Sequence, residues 1–480
     1  MKYTYHNESI APTPIKSRNW TTKDFAILWI SISATVVTYM SGSTLMALGM
    51  LWWQALFTVF LGTTITLIPI ILNSHVGAKY GIPFPVYCRA SFGLNGANLP
   101  VLIRALVACG WFGIVSWIGA QAFYMIILVF YPGVKYLSPI PFLDINSMQI
   151  ICIVLFLSLH GLALLRGMNS IKFLLNIKAP LLALVGIVLL FWALPYLNSS
   201  ALTSIENIAT SGGSNFWKVF PSAMTSVIAL SVALSVNIAD FSRFSKSQKS
   251  HVIGQAIGLP LTMIFFAFVG IAVSAATLAI YGEVIWDPVE LLGKAPNTII
   301  LISGSAIIII ASLTTNIAAN LVSAANDFSN FWPKRISFKT GGFITIILGL
   351  LIQPWKILAN SNGYIYKWLL SYTCFFGAIG GILIADYYLV RKKKLNVENL
   401  YLRNGEYWYK NGFNIKAIIA LVLAVMPCIP GMLNTMGIIK SRGFFIDLYD
   451  YNWFVGFIIS FVAYALLSTT SKKVKKVVKI

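Results

Sequence analysis

A tryptophan and a glutamine four residues apart are the side chains best suited to bind a flat, polar molecule. Trp117 and Gln121 lie in an apolar segment, and a spacing of four puts both on one face of a helix. The indole can stack on a planar ring, while the amide can donate to and accept from the edge of that ring. Trp and Gln at this spacing also serve in helix packing, so the pair alone leaves both interpretations open.

Few other side chains are of types that could carry out catalysis or bind a metal. All 14 Asp and Glu residues fall in predicted tails, loops or helix ends. Four histidines lie near predicted helix ends or in tails, namely His6, His75, His160 and His251. Five cysteines lack metal-ligand spacing and are predicted to pack as small apolar residues, namely Cys88, Cys109, Cys152, Cys374 and Cys428. We therefore expect no zinc or haem site, no catalytic cluster and no carboxylate relay at a helix centre.

The elements that position the Trp117–Gln121 pair are predicted to be membrane-spanning helices. Only 10% of the residues are charged and 58% are hydrophobic, whereas about a quarter of a soluble protein is charged. About 20 apolar helical residues cross a hydrocarbon core of roughly 30 Å. Twelve segments qualify, at 24–48, 53–73, 101–130, 147–166, 176–195, 219–239, 254–280, 297–323, 341–355, 364–389, 414–432 and 453–469. They are continuously apolar and too long for barrel strands, so the predicted fold is an all-α integral membrane protein.

The distribution of positive charge predicts how the chain crosses the membrane. The formal net charge is +21, and the cytoplasmic connections of membrane proteins are enriched in Lys and Arg. If both termini are cytoplasmic, the outer connections hold only Lys135, Lys218, Lys294, Lys356, Lys367, Lys440 and Arg442. This asymmetry explains the net charge without a nucleic-acid partner. We predict a multi-pass protein of the cell (plasma or inner) membrane with both termini cytoplasmic.

Two polar, small-residue stretches suggest an internal duplication. The first span contains such a stretch at 31–43, and the sixth span contains another at 222–237. Hydroxyl groups can satisfy the backbone where a helix breaks at the bilayer midplane, as in many transporters built from repeats. Small residues are also common in ordinary helix contacts, so composition leaves the repeat open.

Ordered motifs add a resemblance to a known family. They are a Gly- and Pro-rich connection at 80–100, the helix stretch 109–121, and the stretches 237–244, 254–260, 314–330 and 334–342. In this order they resemble the nucleobase:cation symporter-1 family of uracil, allantoin, cytosine and hydantoin transporters. The resemblance implies twelve transmembrane helices, in which spans 1–5 and 6–10 form a five-plus-five inverted repeat followed by two additional C-terminal helices.

The resemblance also implies a division of the chain. A cytoplasmic tail at 1–23 precedes a transport core at 24–389, a cytoplasmic loop at 390–413 and helices 11 and 12 at 414–469. A basic cytoplasmic tail follows at 470–480. Its lysines are expected to contact anionic lipid headgroups, and they are Lys472, Lys473, Lys475, Lys476 and Lys479.

By the same resemblance, the substrate lies between spans 1, 3, 6 and 8. Trp117 would stack on a heterocycle, while Gln121 and Asn320 would bond its carbonyl and N–H groups. Thr35 is a further candidate polar contact. Sodium-coupled hydantoin transporters of the family carry a second stacking tryptophan where this chain has Ser231, preceded by Leu230. The sequence thus departs from the two-tryptophan pattern, which leaves the identity of the heterocycle open.

The family's sodium site maps onto spans 1 and 8. Its matching ligands are the hydroxyls of Thr314 and Thr315 and the carbonyls of Ala311, Ser31 and Ala34. Uncharged oxygen ligands suit a monovalent ion that is readily released. Alternatively, the two threonines bond back to their own helix, as threonines in spans often do, and the resemblance also allows for proton-driven family members.

These observations together predict a secondary active symporter, not an enzyme. It would import a nucleobase-like heterocycle such as uracil or allantoin by alternating access, driven by Na⁺ or H⁺ and without another cofactor. Its expected partners are the small-molecule substrate and the lipid bilayer, with no obligate protein partner. The alternatives are a symporter for another small heterocycle (cytosine, hydantoin or a vitamin-like ring), an integral membrane enzyme, or a channel with unsaturable permeation.

Overall fold

The computed structural model describes residues 5–6, 8–166, 168–197, 215–358 and 364–477, with side chains left out at 166, 168–179, 357–358, 364–366 and 470–477. Within those residues the regular structure is helical, and pairing between extended segments is limited to two isolated bridges. The all-α prediction is therefore confirmed. The basic side chains predicted at the C-terminus lie outside the described residues.

Fifteen α-helices of nine or more residues form most of the predicted spans and connections in the described part of the chain. They are α1 (Thr22–Ser33), α2 (Val36–Ala47), α3 (Trp52–Tyr80), α4 (Phe84–Phe92), α5 (Asn98–Phe130), α6 (Ser147–Arg166), α7 (Met168–Ala193), α8 (Phe216–Asn237), α9 (Gln248–Tyr281), α10 (Thr298–Asn316), α11 (Val322–Phe331), α12 (Phe338–Leu351), α13 (Tyr364–Ile384), α14 (Ile415–Val425) and α15 (Asn452–Val477). Each of the twelve predicted apolar segments is mainly helical. Several helices run further than the hydropathy pattern predicts.

The first span is broken, as its polar stretch suggested. Helices α1 and α2 form one apolar span that bends by 61° at residues 34 and 35. Thr35 begins the second half, where its Oγ1 accepts a hydrogen bond from the Thr38 backbone N–H at 3.1 Å. This bond satisfies one of the donors that a helix start leaves unpaired. The sixth span behaves differently, because α8 is continuous through 222–237.

The eighth span contains a second interruption of the regular helix. A π-helical turn, Ile317–Leu321, joins α10 to α11. Such a turn widens the helix locally and leaves its backbone hydrogen bonds out of α-helical register. Asn320 lies within this turn. The inverted repeat itself stays a prediction.

Two faces of the molecule can be distinguished. The first, called here the tail face, carries residues 8–20 and the connection 391–413, which meet where the Tyr401 hydroxyl donates to the Ile10 carbonyl at 2.7 Å. The opposite face carries the connections 131–146 and 282–297. A cavity described below opens there, and this side is called the vestibule face.

Several polar side chains are more deeply buried than the sequence suggested. His160 and His251 are 0% and 1% exposed, although both were expected at helix ends or in tails, because neighbouring helices cover them. Three carboxylates near helix ends are also buried, Asp240, Asp327 and Asp386. The five cysteines are buried and free, as predicted.

Helices α2 and α9 approach so closely that a side chain would not fit between them. A Cβ at Gly270 would overlap the backbone carbonyl of Tyr39, and a backbone atom cannot move aside as a side chain can. Small residues at such contacts let helices in a membrane pack closely.

We therefore expect Gly270→Ala to lower the stability of the fold by about 1–3 kcal/mol, the usual cost of overpacking. A thermal melt of the detergent-purified protein, followed by size-exclusion chromatography, measures the change. Gly133→Ala is the control, because a Cβ at Gly133 meets nothing within 4 Å. Equal melting temperatures for the two variants would contradict the close contact.

Candidate functional site

Two cavities adjoin the broken first span and helix α5. Helices α8 and α10 line the inner cavity, whereas α6 and the connections 131–146 and 282–297 line the outer one, the vestibule. The vestibule has a volume of about 710 Å³. The inner cavity is much smaller, about 80 Å³. Val37, in α2, lines both of them, so the two cavities are neighbours.

The structure divides the predicted substrate residues between the two cavities. Trp117 and Gln121 line the vestibule. The other four candidates line the inner cavity, namely Thr35, Leu230, Ser231 and Asn320. The four helices predicted to surround the substrate thus meet around these two spaces, although one cavity does not contain all six side chains.

A chain of amides fixes Asn320 in the inner cavity. Its Nδ2 donates to Oδ1 of Asn316 at 2.8 Å, and Nδ2 of Asn316 donates to the Phe112 carbonyl and to Oγ of Ser116, both at 2.9 Å. These bonds join the π-helical turn to α5. Asn316 lies within the stretch 314–330 but was given no role from the sequence, because its partners lie some 200 residues away in the chain.

Trp117 contacts a second indole that the sequence analysis did not single out. The ring centroids of Trp117 and Trp355 are 5.6 Å apart, with their planes inclined by 53°. Trp355 is held in place because its Nε1 donates to the Leu143 carbonyl at 2.7 Å. No pattern in the sequence connects these two tryptophans, which belong to different spans.

Four of the five predicted ion ligands are buried, Ala311 is partly buried, and the two threonines bond to their own helix. Oγ1 of Thr314 donates to the Ile310 carbonyl at 2.8 Å, and Oγ1 of Thr315 donates to the Ala311 carbonyl at 2.8 Å. Ala34 and Ala311 belong to the same apolar cluster, which places the break of span 1 next to α10. Ser31 is fully buried in the last turn of α1. Each hydroxyl oxygen keeps its lone pairs while it donates, so an ion here could be coordinated without breaking these bonds.

The vestibule is acidic in an otherwise basic protein. Asp144, Asp287 and Glu290 line it together with one cation, Lys356. Asp287 lies in a connection between spans, where its Oδ1 accepts from the Val289 backbone N–H at 2.8 Å. Burial raises the pKa of the Asp287 carboxyl above its ordinary value, an effect that the Val289 bond opposes. Within the described residues, no group of three or more His, Cys, Asp or Glu side chains could hold a metal ion.

A buried arginine of α5, to which no role was assigned from the sequence, also lines the inner cavity. Arg104 donates through Nη2 to the Ala319 carbonyl at 3.0 Å, and its Nε lies 3.7 Å from the Asp327 carboxylate. It therefore adds a donor-rich group beside the π-helical turn that carries Asn320.

Comparison with known proteins identifies the family. The family described as "Permease for cytosine/purines, uracil, thiamine, allantoin" matches residues 12–456. The chain belongs to this family. It is thus a permease rather than an enzyme, and the resemblance stated from the motifs is confirmed.

Relatives and solved structures extend the match over almost the whole permease. The purine-uracil permease NCS1 of Arabidopsis thaliana is 39% identical over 477 residues, which is 97% of this chain and 78% of the relative. The allantoin permease of Bacillus subtilis is 35% identical over 463 residues, covering 96% and 92%. The inward-facing structure of Mhp1 superposes with a TM-score of 0.79 at 23% identity, over 98% and 95% of the two chains. That structural likeness concerns the fold alone.

We expect Asn316→Ala to weaken substrate uptake by the permease, although Asn316 is not placed to contact the substrate. The change leaves Asn320 without its partner, which costs about 1–3 kcal/mol, equivalent to about a 5- to 150-fold rise in KM. Uptake kinetics in proteoliposomes measure this. Ser305→Ala is the control on the same helix, since Oγ of Ser305 is buried without a hydrogen bond. A KM for Asn316→Ala equal to that of Ser305→Ala would show that the amide chain has no role in uptake.

Proposed function

We propose that this permease imports an uncharged nucleobase-like heterocycle, with uracil and allantoin as the first candidates, by symport with Na⁺ or H⁺. The observation that carries the proposal is the pair of amides at the two neighbouring cavities. Gln121 faces the vestibule and Asn320 faces the inner cavity. Each amide can both donate and accept, as the alternating carbonyl and N–H edge of such a ring requires.

The hydrogen bonding of the two amides supports this role. Gln121 makes no hydrogen bond to the residues that the structure describes, and the one bond of Asn320 leaves its Oδ1 unused there. Gln121 is partly exposed to the vestibule, and a buried polar group such as Asn320 normally finds a partner. A heterocycle bound between Trp117 and the π-helical turn would supply one.

The difference in cavity size supports alternating access. The inner cavity, at about 80 Å³, is small for a heterocycle, while the vestibule is open. A ring that reaches Asn320 therefore requires the helices around the inner cavity to separate. The broken span and the π-helical turn are suitable places for this movement, as interrupted helices are in other transporters. A channel would instead need a continuous path.

We further propose that the vestibule face is extracellular. The tail face carries the N-terminal segment and the basic connection 391–413, which are joined where Arg89 donates to the carbonyls of Tyr5 and Leu400. The Lys- and Arg-rich side of a membrane protein is normally cytoplasmic. The vestibule would then receive the solute from outside the cell, with the permease in the plasma or inner membrane.

The names of the relatives do not decide which heterocycle this permease carries. The curated relatives include permeases named for purine and uracil, allantoin, uridine and hydantoin. The substrate class can be identified by measuring how strongly each heterocycle of a panel inhibits the uptake of labelled uracil, with and without a sodium gradient. Uptake that fails to saturate, or that no heterocycle inhibits, would contradict the proposal.

Gln121→Ala and Asn320→Ala are each expected to raise the KM for uptake by about 5- to 150-fold, because each removes a polar partner of a buried ring at a cost of about 1–3 kcal/mol. Expression and melting temperature should stay normal. Ser303→Ala, on an exposed position of α10, is the control for helix and membrane effects. Unchanged KM values in both amide variants would remove these residues from the site.

Replacing both Thr314 and Thr315 by alanine is expected to abolish the dependence of uptake on sodium, because two of about five oxygen ligands are lost. The matched control replaces both by serine, which keeps the hydroxyls. Uptake is measured in proteoliposomes with imposed Na⁺ or pH gradients. Wild-type uptake that ignores sodium but follows a pH gradient would make H⁺ the coupling ion.

A further inference from the structure

We propose that the vestibule contains a second, weaker binding subsite for the same uncharged heterocycle, formed by the indoles of Trp286 and Trp355 and by the acceptor groups around them. The inference rests on the proposed function, since it assigns the subsite the same class of solute. The subsite would hold the ring before it reaches the inner cavity. None of its distinctive residues was assigned a role from the sequence.

The sizes of the two cavities are the first argument. Ligand-binding clefts in proteins typically measure about 300–1,000 Å³, and the vestibule, at about 710 Å³, lies within that range. The inner cavity measures about 80 Å³. In this conformation a solute can therefore occupy the vestibule while the cavity that contains Asn320 is too small to receive it.

The aromatic lining of the vestibule is the second argument. Three indoles line it, those of Trp117, Trp286 and Trp355. The ring of Trp355 is fixed from two sides, by its hydrogen bond to the Leu143 carbonyl and by its contact with Trp117. A fixed indole gives a flat surface on which a planar ring can stack at little entropic cost. Trp286 is half-buried in the connection before α10, so part of its ring faces the open space.

The charge of the lining restricts which rings can bind. The chain as a whole has 35 Lys and Arg against 14 Asp and Glu, yet the vestibule is lined by three carboxylates and one ammonium group. That ammonium group, on Lys356, already contacts the Phe142 carbonyl at 2.6 Å and the Asp144 carboxylate at 3.5 Å. The local field therefore disfavours anions, while the carboxylate oxygens can accept from ring N–H groups.

A route connects the subsite to the inner cavity. Trp117 and Gln121 line the vestibule beside Trp355. Val37 lies between the vestibule and the inner cavity, which contains Asn320. A ring that leaves the two outer indoles would meet Gln121 before it meets Asn320. The subsite thus lies on the path of transport.

Equilibrium binding of ³H-uracil and ¹⁴C-allantoin to the purified full-length permease tests the proposal. The wild type should show two classes of site for whichever probe is transported, and Asn320→Ala should weaken the stronger class by about 5- to 150-fold while leaving the weaker class unchanged. Adding Trp286→Ala to Asn320→Ala should remove the weaker class. Trp286→Ala alone should leave one class and raise the KM for uptake about 3- to 10-fold, with a maximal rate within twofold of wild type.

Two further variants separate the subsite from general effects on folding. Trp217→Ala is the matched control, because Trp217 is 73% exposed and does not line the vestibule; its binding and KM should equal those of the wild type. Trp355→Phe keeps an aromatic ring but loses the bond to Leu143, so the weaker class should lose affinity without disappearing. Wild-type behaviour of both Trp286→Ala and Trp355→Phe would overturn the subsite.

The remaining outcomes distinguish failure of the subsite from failure of the proposed function. One class of site in the wild type, weakened by Asn320→Ala and unaffected by Trp286→Ala, would overturn the subsite and leave the proposed function intact. If no heterocycle shows either saturable uptake or saturable binding, the proposed function is wrong. The anionic pyrimidine orotate should not displace uracil from the weaker class in Asn320→Ala, and displacement as strong as that by unlabelled uracil would overturn the charge argument.

Discussion

The fold depends on one constraint, that backbone N–H and C=O groups inside a bilayer must find hydrogen-bond partners within the protein. Long continuous helices such as α3, α5 and α9 meet it without help from side chains. The chain departs from regular α-helix next to the inner cavity in two places, at the bend of span 1 and at the π-helical turn Ile317–Leu321. Both departures face a cavity, and that is where irregular backbone in a membrane is tolerated. The position of the site therefore follows from the same constraint as the helices.

Each interruption comes with the polar side chains that it requires. Thr35 caps the start of α2, and Asn316 joins the π-helical turn to α5. Helix α5 is itself unbroken over 33 residues, so it presents Trp117 and Gln121 from a rigid support. The substrate region thus combines a fixed aromatic face with two segments whose backbone can rearrange. Movement is expected in the broken elements, while recognition of the ring plane depends on the unbroken one.

Features that depend on local sequence could be predicted, and features that depend on distant partners could not. Hydropathy located the twelve helical segments, and the hydroxyl-rich stretch at 31–43 indicated the break in span 1. The similar stretch in span 6 gave no break, because hydroxyl side chains also suit continuous helices and bond there to carbonyls of the preceding turn, as Ser235 does with Val232. The burial of His160 and the contact of Trp117 with Trp355 are properties of pairs from different spans, for which one sequence carries no signal.

The contact of Trp117 with Trp355 changes how the serine at position 231, where related transporters have a tryptophan, is understood. With serine at that position, the sequence leaves Trp117 as the one stacking surface of the site. In the structure Ser231 lines the inner cavity with Asn320, while Trp117 contacts Trp355 at the vestibule. The inner cavity also has aromatic surface, from Trp29 and Trp111, and it adds the polar groups of Arg104 and Asn320. A ring moving inward would therefore keep an aromatic surface and gain hydrogen-bond partners, so its polar edge rather than its flat face should decide which solutes complete the passage.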